Sequence, residues 1–179
     1  MNSPNTSIKS YNLVMKVIHW GMALLIFSLI FAGLSMIRSL EPWQPTLLSI
    51  HKNLGVIAFI AVLARLLVRL RTVSPSLDNE LPSLQRFIAK LTHILMYMAM
   101  ILMPVSGFLM QNFAGRPIYI FDTLMLPSIT TIDLGLYGLF REIHGITAVI
   151  LILLILMHIS AALYHAMIRR DSIFDSMWF

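Results

Sequence analysis

The sequence predicts an all-α integral membrane protein, a bundle of four spanning helices with both termini in the cytoplasm. Three observations predict it. Hydrophobic residues make up 58% of the 179 positions and charged residues only 12%, more apolar surface than a soluble domain of this size can bury. Four apolar runs each approach or exceed the ~20 residues that cross a bilayer. Basic residues gather at alternate ends of those runs, as orientation signals do. The chain reads as one membrane domain, residues 1–179, with spans at about 13–37, 47–70, 87–110 and 141–168.

Composition removes several classes of function. A net charge of +5 invites a nucleic-acid reading, but the charges are dispersed and many flank apolar runs, so no nucleic-acid partner is expected and lipid is. The absence of cysteine excludes disulfides, thiolate-held iron–sulfur clusters and covalent haem attachment. Thirteen methionines read as adaptable filler between membrane helices.

Taken in order, Met1 to Asn12 is a polar tail. Its Asn5-Thr6-Ser7 matches a glycosylation acceptor, but on the cytoplasmic side the match is a chance one. Leu13 to Ile37 begins with Lys16 and His19. It is longer than the ~7–15 residue core of a secretory signal and lacks a following cleavage site, so it reads as a retained span. Pro42, Trp43 and Pro45 mark an external loop, with Trp43 at the interface. Leu47 to Leu70 carries His51 near its start and Arg65 and Arg69 near its end, and Arg71 follows. Pro75, Asp78, Glu80 and Pro82 mark the next connection. Phe87 to Met110 holds His93, then Pro104 and Gly107, and Gln111 to Gly138 is a loop long enough to fold over the membrane surface.

The run from Arg141 to Arg170 organises the rest, because it carries His144, His158 and His165. His144 and His158 stand 14 residues apart, within about 40° of one helix face and about 21 Å apart along the axis. Ionisable side chains inside a span are costly unless paired or metal-bound, so they mark function. Lys9, Lys16, Arg65, Arg69, Arg71, Arg86, Lys90, Arg169 and Arg170 fall on one side; Arg38, Lys52, Arg116 and Arg141 fall on the other. The larger set belongs in the cytoplasm.

Depth counted from those edges puts His51 and His144 near the outer surface. His19, His93, His158 and His165 fall in the inner half. Helix bundles bind cofactors with inward side chains at matched depth, so the simplest couples are His51 with His144 and His19 with His158. Two axial imidazoles suit a six-coordinate b haem that carries electrons. Bare zinc or copper is the competing chemistry, although such sites gather three or four ligands at one depth. Gly33 and Gly107 lie 14 residues after His19 and His93, hence on the same faces at the outer depth. They leave side-chain-free surface either for a flat macrocycle or for close helix packing. Arg65 and Arg69 project on the His51 face at the inner depth, where they either neutralise haem propionates or snorkel to the interface.

The run Val17-Ile18-His19-Trp20, the stretch Ile50-His51-Lys52-Asn53-Leu54-Gly55 and the segment Arg65 to Leu70 resemble the bacterial cytochrome b561 family. So do His93 to Gly107, His144, and the ending His158 to His165 followed by Arg170-Asp171. That resemblance covers nearly the whole chain. It implies a four-helix protein of the bacterial inner membrane with two non-covalent b haems, ligated by His19, His51, His144 and His158. It implies electron transfer between a periplasmic donor and ubiquinone or a partner protein, with His93 and His165 near the quinone. Some relatives oxidise superoxide, so a quinone-reducing, superoxide oxidase-like enzyme is one expectation. Ala166 departs from a histidine that many relatives carry there. Two other readings stay open: a membrane-anchor subunit relaying electrons for a partner oxidoreductase, and a haem-free metal or proton transporter.

Overall fold

The computed structural model describes residues 10–37, 41–72, 82–121, 123–129 and 131–179. The Asn5 acceptor triplet, Lys9, Arg38, Pro75, Asp78, Glu80 and Asp122 lie outside them. Helix α1, Leu13–Ile37, begins where the Asn12 side chain accepts the Met15 N–H at 2.9 Å. That bond satisfies one of the donors a helix start leaves free. Helix α2, Gln44–Arg71, has Pro45 in its first turn, where a missing N–H costs nothing. Helix α3, Ser83–Phe113, runs through Pro104 without interruption. Helix α4, Leu134–Leu163, starts at Asp133, whose carboxylate accepts the Leu136 N–H.

The fold is therefore all-α, and among the described residues four helices are long and apolar enough to cross a membrane. Three of them start before the apolar runs. The second, third and fourth gain about one to two turns at their first ends, because capping and proline chemistry, not hydropathy, decides where a helix starts. The α3–α4 connection shortens accordingly. It contains a small antiparallel hairpin, β1 (Tyr119–Ile120) and β2 (Leu124–Met125), paired Tyr119 to Met125 and Ile120 to Leu124. Asn53 of α2 accepts the Phe121 N–H and Asn112 of α3 accepts the Ile129 N–H. Both bonds hold this loop down on the end of the bundle.

Helices α3 and α4 pack most extensively on each other, and α1 packs on α2. The shared interior is narrow: Met22, Val62, Ala99, Met100, Leu151 and Ile155 are buried against one another. Large apolar side chains elsewhere face outward, such as Leu24 at 73% exposure and Leu153 at 61%. A water-soluble bundle would hide them, whereas hydrocarbon is their natural solvent.

After α4 the backbone widens into a π-helical turn, Tyr164–Arg169, and Arg170 ends it at a left-handed φ of 53°. A last turn, α5 (Ser172–Asp175), carries the C-terminal residues back to α1. The Ser176 carbonyl accepts the Tyr11 N–H at 3.0 Å, the Met177 carbonyl accepts Trp20 Nε1–H at 3.1 Å, and Lys16 Nζ donates to the Trp178 carbonyl. The described beginning and end of the chain thus meet on one side of the bundle, as an even number of crossings requires.

The Asp133 cap makes a stability prediction. Asp133→Ala should destabilise the protein by about 1 kcal/mol, read as a lower melting temperature in detergent, and Asp133→Asn should recover most of it. An unchanged melting temperature for Asp133→Ala would show that the cap contributes nothing.

Candidate functional site

Helix geometry brings the interior histidines together at two levels. At one level His51 of α2 faces His144 of α4, ring centres 6.4 Å apart with planes at 71°. At the other, His19 of α1 faces His158 of α4 at 6.2 Å and 62°. His158 has a second neighbour, His93 of α3, at 5.6 Å. Both couples draw one member from α4 because its two histidines share a face nearly four turns apart.

The glycines take up positions between the two sequence readings. A Cβ on Gly33 would stand 3.7 Å from His51 Cε1, and one on Gly107 would stand 3.3 Å from His144 Cε1 and 3.4 Å from its Nδ1. Each glycine therefore makes room for an imidazole ring from another helix. Gly55 and Gly145 have no such neighbour.

His144 is held firmly. Its Nδ1 lies 3.0 Å from the Met103 carbonyl and 3.1 Å from Ser106 Oγ, and Ser106 is fully buried. By contrast, Nδ1 of His19 is buried without a hydrogen-bond partner among the described residues, and the one backbone group that interacts with the His51 ring is that of Leu29 on α1.

Arg65 donates from Nε to the Tyr97 hydroxyl at 3.2 Å, with its guanidinium 6.0 Å from that ring's centre. Arg69 donates to the Tyr11 hydroxyl at 2.9 Å and lies 5.6 Å from that ring's centre. Arg65 is within electrostatic reach of His19, His93 and His158, and Arg69 of His93. These two cations sit beside the second histidine level, tethered by tyrosines. His165, in the π-helical turn, bonds Asp171 Oδ2 through Nδ1 at 2.7 Å; Arg169 Nε approaches the same oxygen at 3.3 Å. Arg169 also donates to Gln85 of α3. His165 is thus apart from both couples, in the turn that follows α4.

Sequence reasoning missed Tyr11, Tyr97 and Ser106. The tyrosines serve arginines on another helix, and no spacing within one helix encodes such a partner. Ser106 carried a signal: it is a polar residue in mid-span, next to a glycine already placed at the outer depth.

The chemistry of the donor set can be tested against a metal-bearing group. Two imidazole–metal bonds of about 2 Å each, plus roughly 1 Å from each ring centre to its nitrogen, span about 6 Å. Both couples match that span, so each could hold an iron-bearing group such as haem. Among the described residues no three ligating side chains converge on one point, the arrangement a bare ion would prefer.

Comparison with known proteins identifies the family. Residues 10–179 match the family described as prokaryotic cytochrome b561. The chain is 25% identical to cytochrome b561 homolog 2 of Escherichia coli (strain K12), covering 99% of this chain and 95% of that protein. It is 26% identical to cytochrome b561 homolog 1 of the same organism, over 87% of this chain and 89% of that one. It is 24% identical to the probable superoxide oxidase CybB of Yersinia pestis, over 92% and 93%.

The glycine contacts generate a differential prediction. Gly107→Ala must push the His144 ring, whereas Gly33→Ala adds only an ordinary contact to His51. Haem per chain, measured by pyridine haemochrome, should fall clearly in Gly107→Ala and little in Gly33→Ala. Equal retention in both would mean that the His144 ring has slack to spare.

Proposed function

Because the chain belongs to the prokaryotic cytochrome b561 family, a multi-pass class of the bacterial inner membrane that binds b-type haem and transfers electrons, we propose a fuller reading of its role. It carries electrons across the membrane from a periplasmic donor to ubiquinone through two haems b. His51 and His144 hold the outer one; His19 and His158 hold the inner one. The two couples of facing imidazoles, 6.4 Å and 6.2 Å between ring centres, carry this reading. Both termini lie in the cytoplasm, with Arg65, Arg69, Arg169 and Arg170 toward that side, as the distribution of basic residues supports.

Held by these histidines, b haem would supply reversible one-electron transfer. The protein supplies position and electrostatics. Arg65 and Arg69, oriented by Tyr97 and Tyr11, balance propionate charge at the inner level. His165, bonded to Asp171, and His93 provide hydrogen-bonding and proton-transfer groups for a quinone at the cytoplasmic side. The π-helical turn around His165 supports that placement, since such turns recur at functional sites.

The donor has a specific candidate. The Yersinia pestis relative is described as a probable superoxide oxidase, which favours superoxide as the periplasmic reductant and the whole reaction as superoxide:ubiquinone oxidoreduction. External charges in the sequence are balanced, four basic against four acidic (Glu41, Asp122, Asp133 and Glu142), so steering of the anion would be local.

Reduced-minus-oxidised spectra with haem quantification should give close to two haems b per chain; a value of one would dissolve one couple. His144→Ala should lose one haem, and retention of both would remove His144 from the ligand set. His165→Ala should keep both haems and slow ubiquinone reduction several-fold in proteoliposomes. A normal rate would place the quinone elsewhere.

A further inference from the structure

We propose that Ser106 is a positioning residue for His144, setting the electron-donating strength of that imidazole and thereby the potential of the outer centre. The proposal rests on reading His144 as an axial ligand. Its argument comes from where the protons must be.

The Met103 carbonyl can only accept, and it lies 3.0 Å from His144 Nδ1. Nδ1 therefore carries the ring proton, and Nε2 presents a lone pair. Ser106 Oγ lies 3.0 Å from the same carbonyl and 3.1 Å from Nδ1. Its own proton goes to the carbonyl, which leaves its oxygen lone pairs to face the Nδ1–H. The ring N–H thus has two acceptors, and the hydroxyl is oriented by the carbonyl it bonds.

The sequence Met103-Pro104-Val105-Ser106-Gly107 builds this cradle in little more than one turn. The carbonyl belongs to the Met103–Pro104 tertiary amide. Ser106 reaches back to it, as serines inside helices do, and Gly107 leaves the ring its space. Ser106 is 0% exposed, so its hydrogen bonds face no competition from water. Acceptors on the far nitrogen of a ligating imidazole raise its basicity. A more basic ligand favours the oxidised iron, so Ser106 would lower the potential of the outer centre relative to a variant without the hydroxyl. Among the described residues His144 is the histidine of its couple whose Nδ1 meets both a carbonyl and a hydroxyl oxygen.

The test uses purified, haem-loaded protein with Ser106→Ala, Ser106→Thr and His144→Ala, each followed by haem content, redox titration and low-temperature electron paramagnetic resonance of the oxidised form. His144→Ala identifies which signals belong to the outer centre. Ser106→Ala should keep two haems, raise the outer midpoint potential, alter the outer resonance and leave the inner one unchanged; Ser106→Thr, which restores an oxygen, should return both signals toward the parent. Loss of the outer haem from Ser106→Ala, with recovery in Ser106→Thr, would support the proposal equally. An unchanged outer potential and resonance in Ser106→Ala, with His144→Ala losing its haem, would overturn the role of Ser106 alone. Equal shifts in both centres would overturn it too, since the effect would then be global. Retention of both haems by His144→Ala would instead overturn the underlying ligand reading.

Discussion

An imidazole in hydrocarbon must find a partner, and this constraint arranges the molecule. Unpaired polar groups are expensive where no water can solvate them. Five histidines from four helices gather in the bundle interior, at two levels joined by α4, and His144 finds its partners on α3. Turning these rings inward helps to specify how the helices face one another. Apolar packing alone leaves that choice loose, because lipid tails are as apolar as leucine. The small buried core around Met22, Val62 and Leu151 is consistent with this: much of the orientational specificity lies in polar contacts.

The surroundings of the two levels differ in kind. At the His51–His144 level the partners are neutral: a carbonyl, a hydroxyl and two glycines beside the rings. At the His19–His158 level two arginines, held by Tyr97 and Tyr11, stand beside three histidines, and the His165–Asp171 pair lies beyond. The ends of the chain reinforce that side, where the C-terminal turn bonds the start of α1 through Tyr11, Lys16 and Trp20. Tyr11 belongs both to this junction and to the Arg69 tether, which couples closure of the bundle to placement of a cation near His93.

Much of this was legible in the chain. Fourteen-residue intervals put His144 and His158, and the glycines Gly33 and Gly107, on predictable faces and depths, because a helix converts spacing directly into direction. The purpose of the glycines was less legible. Spacing identified their level, but only the packed helices revealed that each one accommodates a histidine ring. Helix starts were also displaced, at Gln44, Ser83 and Leu134, since Pro45 and Asp133 extend helices past the end of the apolar signal.

By itself the sequence determined the helix class, the number of membrane-length helices and the shared faces of the histidines. Each of these follows from local periodicity and the thickness of a bilayer. Matched depth had already paired His51 with His144 and His19 with His158; only the tertiary structure decided that His93 joins His158, that Tyr97 and Tyr11 receive the arginines, and that Met103 and Ser106 clasp His144. Those contacts join residues far apart in the chain through the rotation of each helix about its own axis, and no spacing within one helix records the rotation of its neighbour.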